Sequence, residues 1–184
     1  SKKINFLDLC ISIEILSSIM IKKGIKKGDH IGVIQNNSIE LLYLFYAIAN
    51  IGAVIVPING SQNKNDLLNQ LKLSDTKYLF IWHGFFKELK HSLKSIKIKK
   101  IFLIGKSDKN YENFSNLLKH KNFKKKKIPK NTNIKYIFGL TSGSTSTPKI
   151  IIFSQKTKIL RAKYAQKLFK LNNKDKLIIG TPFK

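Results

Sequence analysis

Between two apolar segments the chain carries Thr141-Ser142-Gly143-Ser144-Thr145-Ser146-Thr147-Pro148-Lys149, a stretch of hydroxyl side chains with one glycine, one proline and a closing lysine. Small residues let backbone amides come close to a ligand, hydroxyls add donors, and Lys149 adds a point charge; together these suit a polyphosphate. A Ser/Thr-rich stretch is also ordinary loop composition, in which the lysine is simply solvated, so the order of the residues decides between the two. The Walker type of phosphate loop needs a glycine directly before the lysine and a helix directly after it. Here Pro148 precedes Lys149 and an isoleucine run follows.

The elements that must position this stretch are strands. Tyr136–Leu140 leads in and Ile150–Phe153 leads out, and their β-branched and aromatic residues favour extended chain. Further upstream, apolar positions at Leu9, Ile13, Leu16, Ile19 and Met20 predict a helix over residues 6–23, with Cys10 in its core. Ile31–Ile34 and Ala53–Pro57 read as buried strands, separated by a helix from about Ile39 to Asn50 that Ser38 can cap and whose inward residues are Leu41, Leu42, Phe45 and Ile48. The alternation continues with a helix over Asp66–Leu73 capped by Asn65, a strand over Lys77–Trp82 closed by a core Trp82, a helix over Phe85–Ile96 and a strand over Lys100–Ile104. Near-continuous apolar strands joined by helices predict an α/β fold with a parallel sheet and flanking helices. Tyr111–His120 reads as a short helix, Lys124–Lys127 with Pro129 as a solvated linker, Gln155–Phe169 as a helix capped by Ser154, and Leu177–Gly180 as a last strand. The expected organisation is an α/β layered unit over residues 1–107, a lysine-rich connection over 108–133, and over 134–184 the loop-bearing strands with the start of a next subdomain, where a second sheet begins.

Composition narrows the function classes. At 184 residues with 42% hydrophobic content the chain can bury a real core. Its apolar runs are too short to span a bilayer and no secretory leader is legible, so the cytoplasm is the expected compartment, with peripheral membrane contact left open. A single cysteine excludes an internal disulfide and a cysteine-based metal site. His30, His83, His91 and His120 are scattered without metal-ligand spacing. A net charge of +25 would fit a nucleic-acid surface, yet Arg161 is the sole arginine, and the excess is lysine spread beside isoleucine and asparagine, residues of A/T-rich codons. No specific nucleic-acid role follows from it.

The Thr141–Lys149 stretch resembles the phosphate-binding signature of the acyl-adenylate-forming enzymes, whose pattern reads Thr-Ser-Gly-Ser/Thr-Thr-Gly-x-Pro-Lys. Upstream passages agree in order and spacing: Gly24 to Ile31 resembles the family's Gly-x-x-Lys-Gly-Asp-x-Val turn, Asn37-Ser38-Ile39-Glu40 its Asn-Ser-x-Glu helix start, and Ala47 to Asn59 its Ala-x-x-x-x-Gly-Ala-x-x-x-Pro-x-Asn passage. These passages read as scaffold. Three positions depart from the pattern: Ser146 stands in place of a glycine, Ile150 in place of a glycine, and Gln155 in place of a histidine.

The resemblance implies a two-step ligase, in which a fatty or other carboxylic acid attacks the α-phosphate of ATP and a thiol, of coenzyme A or a carrier protein, captures the acyl-adenylate. It implies that Ser142, Gly143, Ser144, Thr145, Ser146 and Thr147 cradle the ATP phosphates, that Thr141 lies on the Mg²⁺ side, and that Lys149 is the catalytic cation. It also implies that the ribose aspartate, the acid-selecting pocket that begins near Thr181-Pro182-Phe183, and the late adenylation lysine follow Lys184. Both ends of the chain read as cut from something longer, and alone it is expected to be inert. The competing readings are a non-catalytic relic of the same fold and a basic nucleic-acid-binding module.

Overall fold

The computed structural model describes residues 3–119, 133–141 and 149–177. Helix α1 (Phe6–Lys22) starts where the Asn5 side chain accepts from the Asp8 amide at 2.8 Å. It buries Ile13, Leu16, Ile19 and Met20, one face at helical spacing. Cys10 lies on the other face and is exposed, a correction to its expected place in the core. The lysine-rich turn that follows closes on itself, because Asp29 Oδ2 accepts from the Lys26 amide at 2.8 Å. It feeds strand β1 (His30–Ile34).

Helix α2 (Ile39–Ile51) is capped by Ser38, whose hydroxyl accepts from the Leu41 amide at 3.1 Å. It ends at Gly52, where φ is +76° and only glycine is unstrained. Its buried face is Leu41, Tyr43, Leu44, Ala47, Ile48 and Ile51; Leu42 and Phe45, expected inward, are half-buried. Strand β2 (Val54–Ile58), helix α3 (Lys64–Leu73), strand β3 (Tyr78–Trp82), helix α4 (His83–Leu93) and strand β4 (Lys100–Ile104) follow. The cap of α3 is Asn63 and not Asn65: its side chain accepts from the Asp66 amide at 2.9 Å, which starts the helix two residues early. Trp82 is half-buried at the end of β3. In place of one helix over Tyr111–His120, a two-residue strand β5 (Glu112–Asn113) precedes helix α5 (Phe114–Leu118).

The described strands form one sheet in the order β5-β4-β3-β1-β2-β6-β7, where β6 is Lys135–Thr141 and β7 is Lys149–Ser154. Strands β1 to β6 pair in parallel, and only the β6–β7 pair is antiparallel. The expectation of a second sheet is therefore corrected: β6 joins β2 directly, with Ile55 opposite Ile137. Helix α6 (Gln155–Leu168) closes the described elements, capped by Ser154 as expected. Lys124–Lys127 and residues 178–180 lie outside the described residues, so the linker and the last strand expected there do too.

Two cores sandwich the sheet. One fills the space under α1, α2 and α5, around Leu16, Met20, Leu44 and Ile48; the other lies under α3 and α4, around Leu67, Leu71, Leu79 and Leu89. Phe80 and Phe102 stack across β3 and β4 at 4.5 Å. Burial on both faces explains why these strands read as unbroken apolar runs. Gly32 in β1 is the point of closest approach on the α3 side: a Cβ there would lie 2.9 Å from Thr76 Cγ2 and 3.1 Å from Leu71 Cδ2.

Candidate functional site

The hydroxyl-rich stretch leaves β6 at its carboxyl end and returns as β7. The hairpin register sets Gly139 opposite Ile151 and Thr141 opposite Lys149, so the two ends of the stretch are adjacent backbone partners. Ser142, Gly143, Ser144, Thr145, Ser146 and Thr147 lie outside the described residues. Because β6 runs parallel to β2, the stretch emerges on the edge of the sheet where β1 and β2 end. In open α/β sheets this carboxyl edge is where ligands bind.

The turns after β1 and β2 build that edge. Gln35 Nε2 donates to the Ser38 hydroxyl at 3.1 Å, and Asn59 Oδ1 accepts from the Ser61 amide at 3.1 Å. Gln35 Oε1 is buried and has no donor among the described residues. The Asn37-Ser38 and Pro57-Ile58-Asn59 passages, read as scaffold, thus supply the rim of a cavity as well as a helix cap.

Helix α6 starts beside the amino end of β6, where Ser154 pairs with Lys135. Its first residue is pinned twice to the body of the protein: the Gln155 amide donates to the Ile134 carbonyl at 3.0 Å, and Gln155 Nε2 donates to the Ala49 carbonyl at 2.8 Å. Beside it the buried Tyr136 hydroxyl donates to the Phe45 carbonyl at 3.1 Å. Burial, with a smaller effect of Tyr46, pushes the Tyr136 phenol far above its ordinary range.

From this anchored start, α6 places Lys158 and Arg161 one turn apart on the cavity wall. Lys158 Nζ sits 4.9 Å from the centre of the Phe153 ring. Partial burial, then the neighbouring Arg161 charge, hold the Lys158 ammonium below the usual lysine range. The cavity measures about 620 Å³ and is walled by Val33, Pro57, Ile137, Phe138 and Phe153, with no carboxylate among its described lining residues. These cations were missed in the sequence, although the single arginine placed three residues after a lysine on a helix was a usable signal.

The donor set at this edge suits an anion. Among the described residues no group of histidine, cysteine, aspartate and glutamate side chains is arranged to hold a metal ion. No helix among them is long and apolar enough to cross a membrane.

The chain matches the AMP-binding enzyme family over residues 2–184 and belongs to that family. Among sequence relatives, it is 40% identical over 62 residues to the acyl-CoA ligase SID4 of Ajellomyces capsulatus, covering 34% of this chain and 10% of that protein. It is 36% identical over 64 residues to the 2-succinylbenzoate–CoA ligase of Oceanobacillus iheyensis, covering 35% of this chain and 13% of that protein. Among solved structures, a long-chain-fatty-acid-CoA ligase (FadD1) from Archaeoglobus fulgidus superposes with a TM-score of 0.81 at 24% identity, over 94% of this chain and 34% of that one. MatB from Rhodopseudomonas palustris superposes with a TM-score of 0.75 at 13% identity, over 94% of this chain and 34% of that one. The chain thus spans about a third of these solved relatives. The sheet and its flanking helices are the fold of adenylate-forming enzymes. A nucleic-acid-binding module finds no support in these comparisons.

Proposed function

We propose that this chain is the N-terminal part of an ATP-dependent, AMP-forming carboxylic acid:thiol ligase. The observation that carries the reading is the antiparallel β6–β7 hairpin, which holds Thr141 and Lys149 opposite each other at the carboxyl edge of a parallel sheet. A loop fixed at both ends in this way presents its intervening backbone amides and hydroxyls from one place. Ser142, Gly143, Ser144, Thr145, Ser146 and Thr147 would hold the β- and γ-phosphates of ATP. Lys149 would neutralise charge as pyrophosphate leaves, and Thr141 would face the Mg²⁺ that the nucleotide brings with it. ATP supplies the leaving group; the acid, fatty or otherwise, forms the acyl-adenylate, and coenzyme A or a carrier-protein thiol accepts the acyl group. The ligase acts in the cytoplasm.

The test is Lys149→Ala in the intact protein. Loss of one charge-stabilising group in a site of this kind lowers turnover about 100-fold or more. ATP–pyrophosphate exchange close to wild type would overturn the reading. ATP–pyrophosphate exchange by the 184-residue chain alone is expected at background.

A relic of the same fold is the second reading, and Gln155 favours it. Its side chain is spent on the Ala49 carbonyl, where the family pattern has a histidine. The same exchange assay on the intact wild-type protein separates the two, since a relic gives no exchange before any substitution.

A further inference from the structure

Lysine is distributed unevenly between the two ends of the strands. The segments that lead into β1, β3, β4 and β6, residues 22–29, 72–77, 94–100 and 134–135, hold eleven lysines and two aspartates in 23 positions. The turns that leave β1 and β2, residues 35–38 and 59–63, hold no lysine, and residues 105–111 after β4 hold two. A compositional bias toward lysine loads both edges alike, so it does not account for this placement. A helix C-terminus favours a cation, which explains Lys22, Lys72 and Lys94, in or beside a last turn. That effect fades past the last turn and leaves Lys26, Lys27, Lys97, Lys99 and Lys135 unexplained.

These lysines share one surface. The Lys99 amide donates to the Lys77 carbonyl at 2.8 Å, Lys77 Nζ lies 3.7 Å from Asp29 Oδ1, and Asp29 Oδ2 accepts from the Lys26 amide. The Lys27 stem lies against Gly52, where an added Cβ would sit 3.2 Å from Lys27 Cγ and 3.3 Å from Ile134 Cδ1, and Lys135 follows. The row thus crosses β4, β3, β1, β2 and β6, about 20 Å at the usual strand spacing. Glu112 is taken up by Lys23 and Lys100, and Asp29 by Lys77. Lys26, Lys27, Lys97, Lys99 and Lys135 are exposed and have no acidic partner among the described residues. Beside Lys72, Leu73 is 50% exposed, an apolar side chain on the same edge.

We propose that this amino edge of the sheet docks on an anionic bilayer surface. A row of unpaired cations repels itself, and a layer of negative headgroups relieves that repulsion without any fixed geometry. Lysine suits such a partner, because a point charge is all the contact needs, whereas base edges in a nucleic-acid groove are gripped in two places by the planar fork of arginine, which the row lacks. Leu73 supplies a side chain that enters between headgroups. The chain's own net charge of +25 disfavours a second copy as the occupant. Resting on Lys135 and its neighbours, the chain turns Thr141, at the other end of β6, away from the bilayer. The proposal stands apart from the ligase reading, since neither the surface nor its test involves a nucleotide.

The experiment is co-sedimentation of the full 184-residue chain with phosphatidylcholine vesicles that contain about 30 mol% phosphatidylserine, at about 0.1 M salt. Two double variants, Lys26→Gln with Lys27→Gln and Lys97→Gln with Lys99→Gln, are each expected to weaken binding about tenfold or more. Lys106→Gln with Lys109→Gln removes the same charge beyond the other end of β4 and is expected to weaken it less than about threefold. All six lysines are exposed, so no substitution touches the core. Binding to the anionic vesicles with this pattern, and none to pure phosphatidylcholine, supports the surface. Equal weakening by all three double variants would mean diffuse attraction and would overturn it, as would equal binding to neutral vesicles. Displacement by soluble glycerophosphoserine at the same headgroup concentration would reduce the surface to a site for single anions. Tighter binding of an RNA duplex at equal phosphate concentration, weakened by the same two double variants, would overturn the bilayer in favour of nucleic acid.

Discussion

Gln155 Nε2 donates to the Ala49 carbonyl at 2.8 Å, tying the first turn of α6 to the last turn of α2 across 106 positions of sequence. The Ala49 carbonyl also accepts from the Gly52 amide at 3.0 Å, so the side chain adds a second donor at the end of α2. The bond gives a residue that departs from the family pattern a structural task.

Replacing Gln155 by alanine removes that donor from a partly buried carbonyl. The expected loss is about 1 kcal/mol, or roughly 2–4 °C in Tm for a chain of this size. Thermal unfolding followed by circular dichroism reads it directly. A Tm unchanged within 1 °C, as an approximate limit of such scans, would mean that water replaces the amide at no cost.

Glu112 is gripped from two sides, by Lys23 Nζ at 2.7 Å and Lys100 Nζ at 2.8 Å. Burial pushes its carboxyl up, but the hydrogen bonds from Lys100 and Lys23 outweigh that and hold it below the ordinary 4.5. A carboxylate with a depressed folded pKa adds stability that is present above the unfolded value and is lost as pH falls through the folded one. Glu112→Gln should therefore cost about 1 kcal/mol at pH 7 and almost nothing near pH 2. Urea midpoints at the two pH values check this, and an equal cost at both would assign the effect to packing.

Tyr136 gives the opposite sign at the alkaline end. Its raised pKa means that the folded chain keeps a phenol proton that the unfolded chain releases above about pH 10. Stability should fall as pH rises past that value, and Tyr136→Phe should flatten the fall at the cost of the bond to Phe45. Denaturant midpoints at pH 8 and pH 11 in both proteins measure it; parallel declines would show that another group carries the effect.

Gly32→Ala should be costly for a residue in a regular strand. The added methyl would meet Thr76, Leu79 and Leu71 within 2.9–3.1 Å, and overpacking of this kind costs about 1–3 kcal/mol. Thr76→Ser in the same chain removes one of the three clashing methyl groups and should recover part of the loss. No recovery would place the strain on the leucines.

The strands of the α/β layers were legible because burial on both faces turns them into apolar runs, and the caps Ser38 and Ser154 were legible where one candidate stood alone, whereas the Asn5 cap of α1 was not read. Asn63 and Asn65 are chemically the same, and only the reach of Asn63 to the Asp66 amide separates them. Cys10 was misplaced because apolar residues occur all round α1, with Phe6, Leu7 and Ile11 exposed, so periodicity marks no clean inner face. The pairing of β6 with β2 joins Ile137 to Ile55, distant in sequence, and no local pattern encodes it. The same distance hid the cavity, whose walls come from the ends of β1, β2 and β6 and from α6. The loop itself was legible as a motif, because its chemistry is carried by consecutive residues.

The grip on the hairpin is uneven. Among the described residues β1 meets β2 through five paired positions, whereas β2 meets β6 through one, and α6 buries none of its described side chains. Isoleucines 150, 151 and 152 each remain 37–41% exposed along the outer strand. In hydrogen exchange the chain should open in two cooperative units, with amides of β7 and α6 exchanging well before those of β1 and β3. The segment that frames the loop would then respond to an occupant of that edge by gaining protection, while the layered body beneath it keeps the protection it already has.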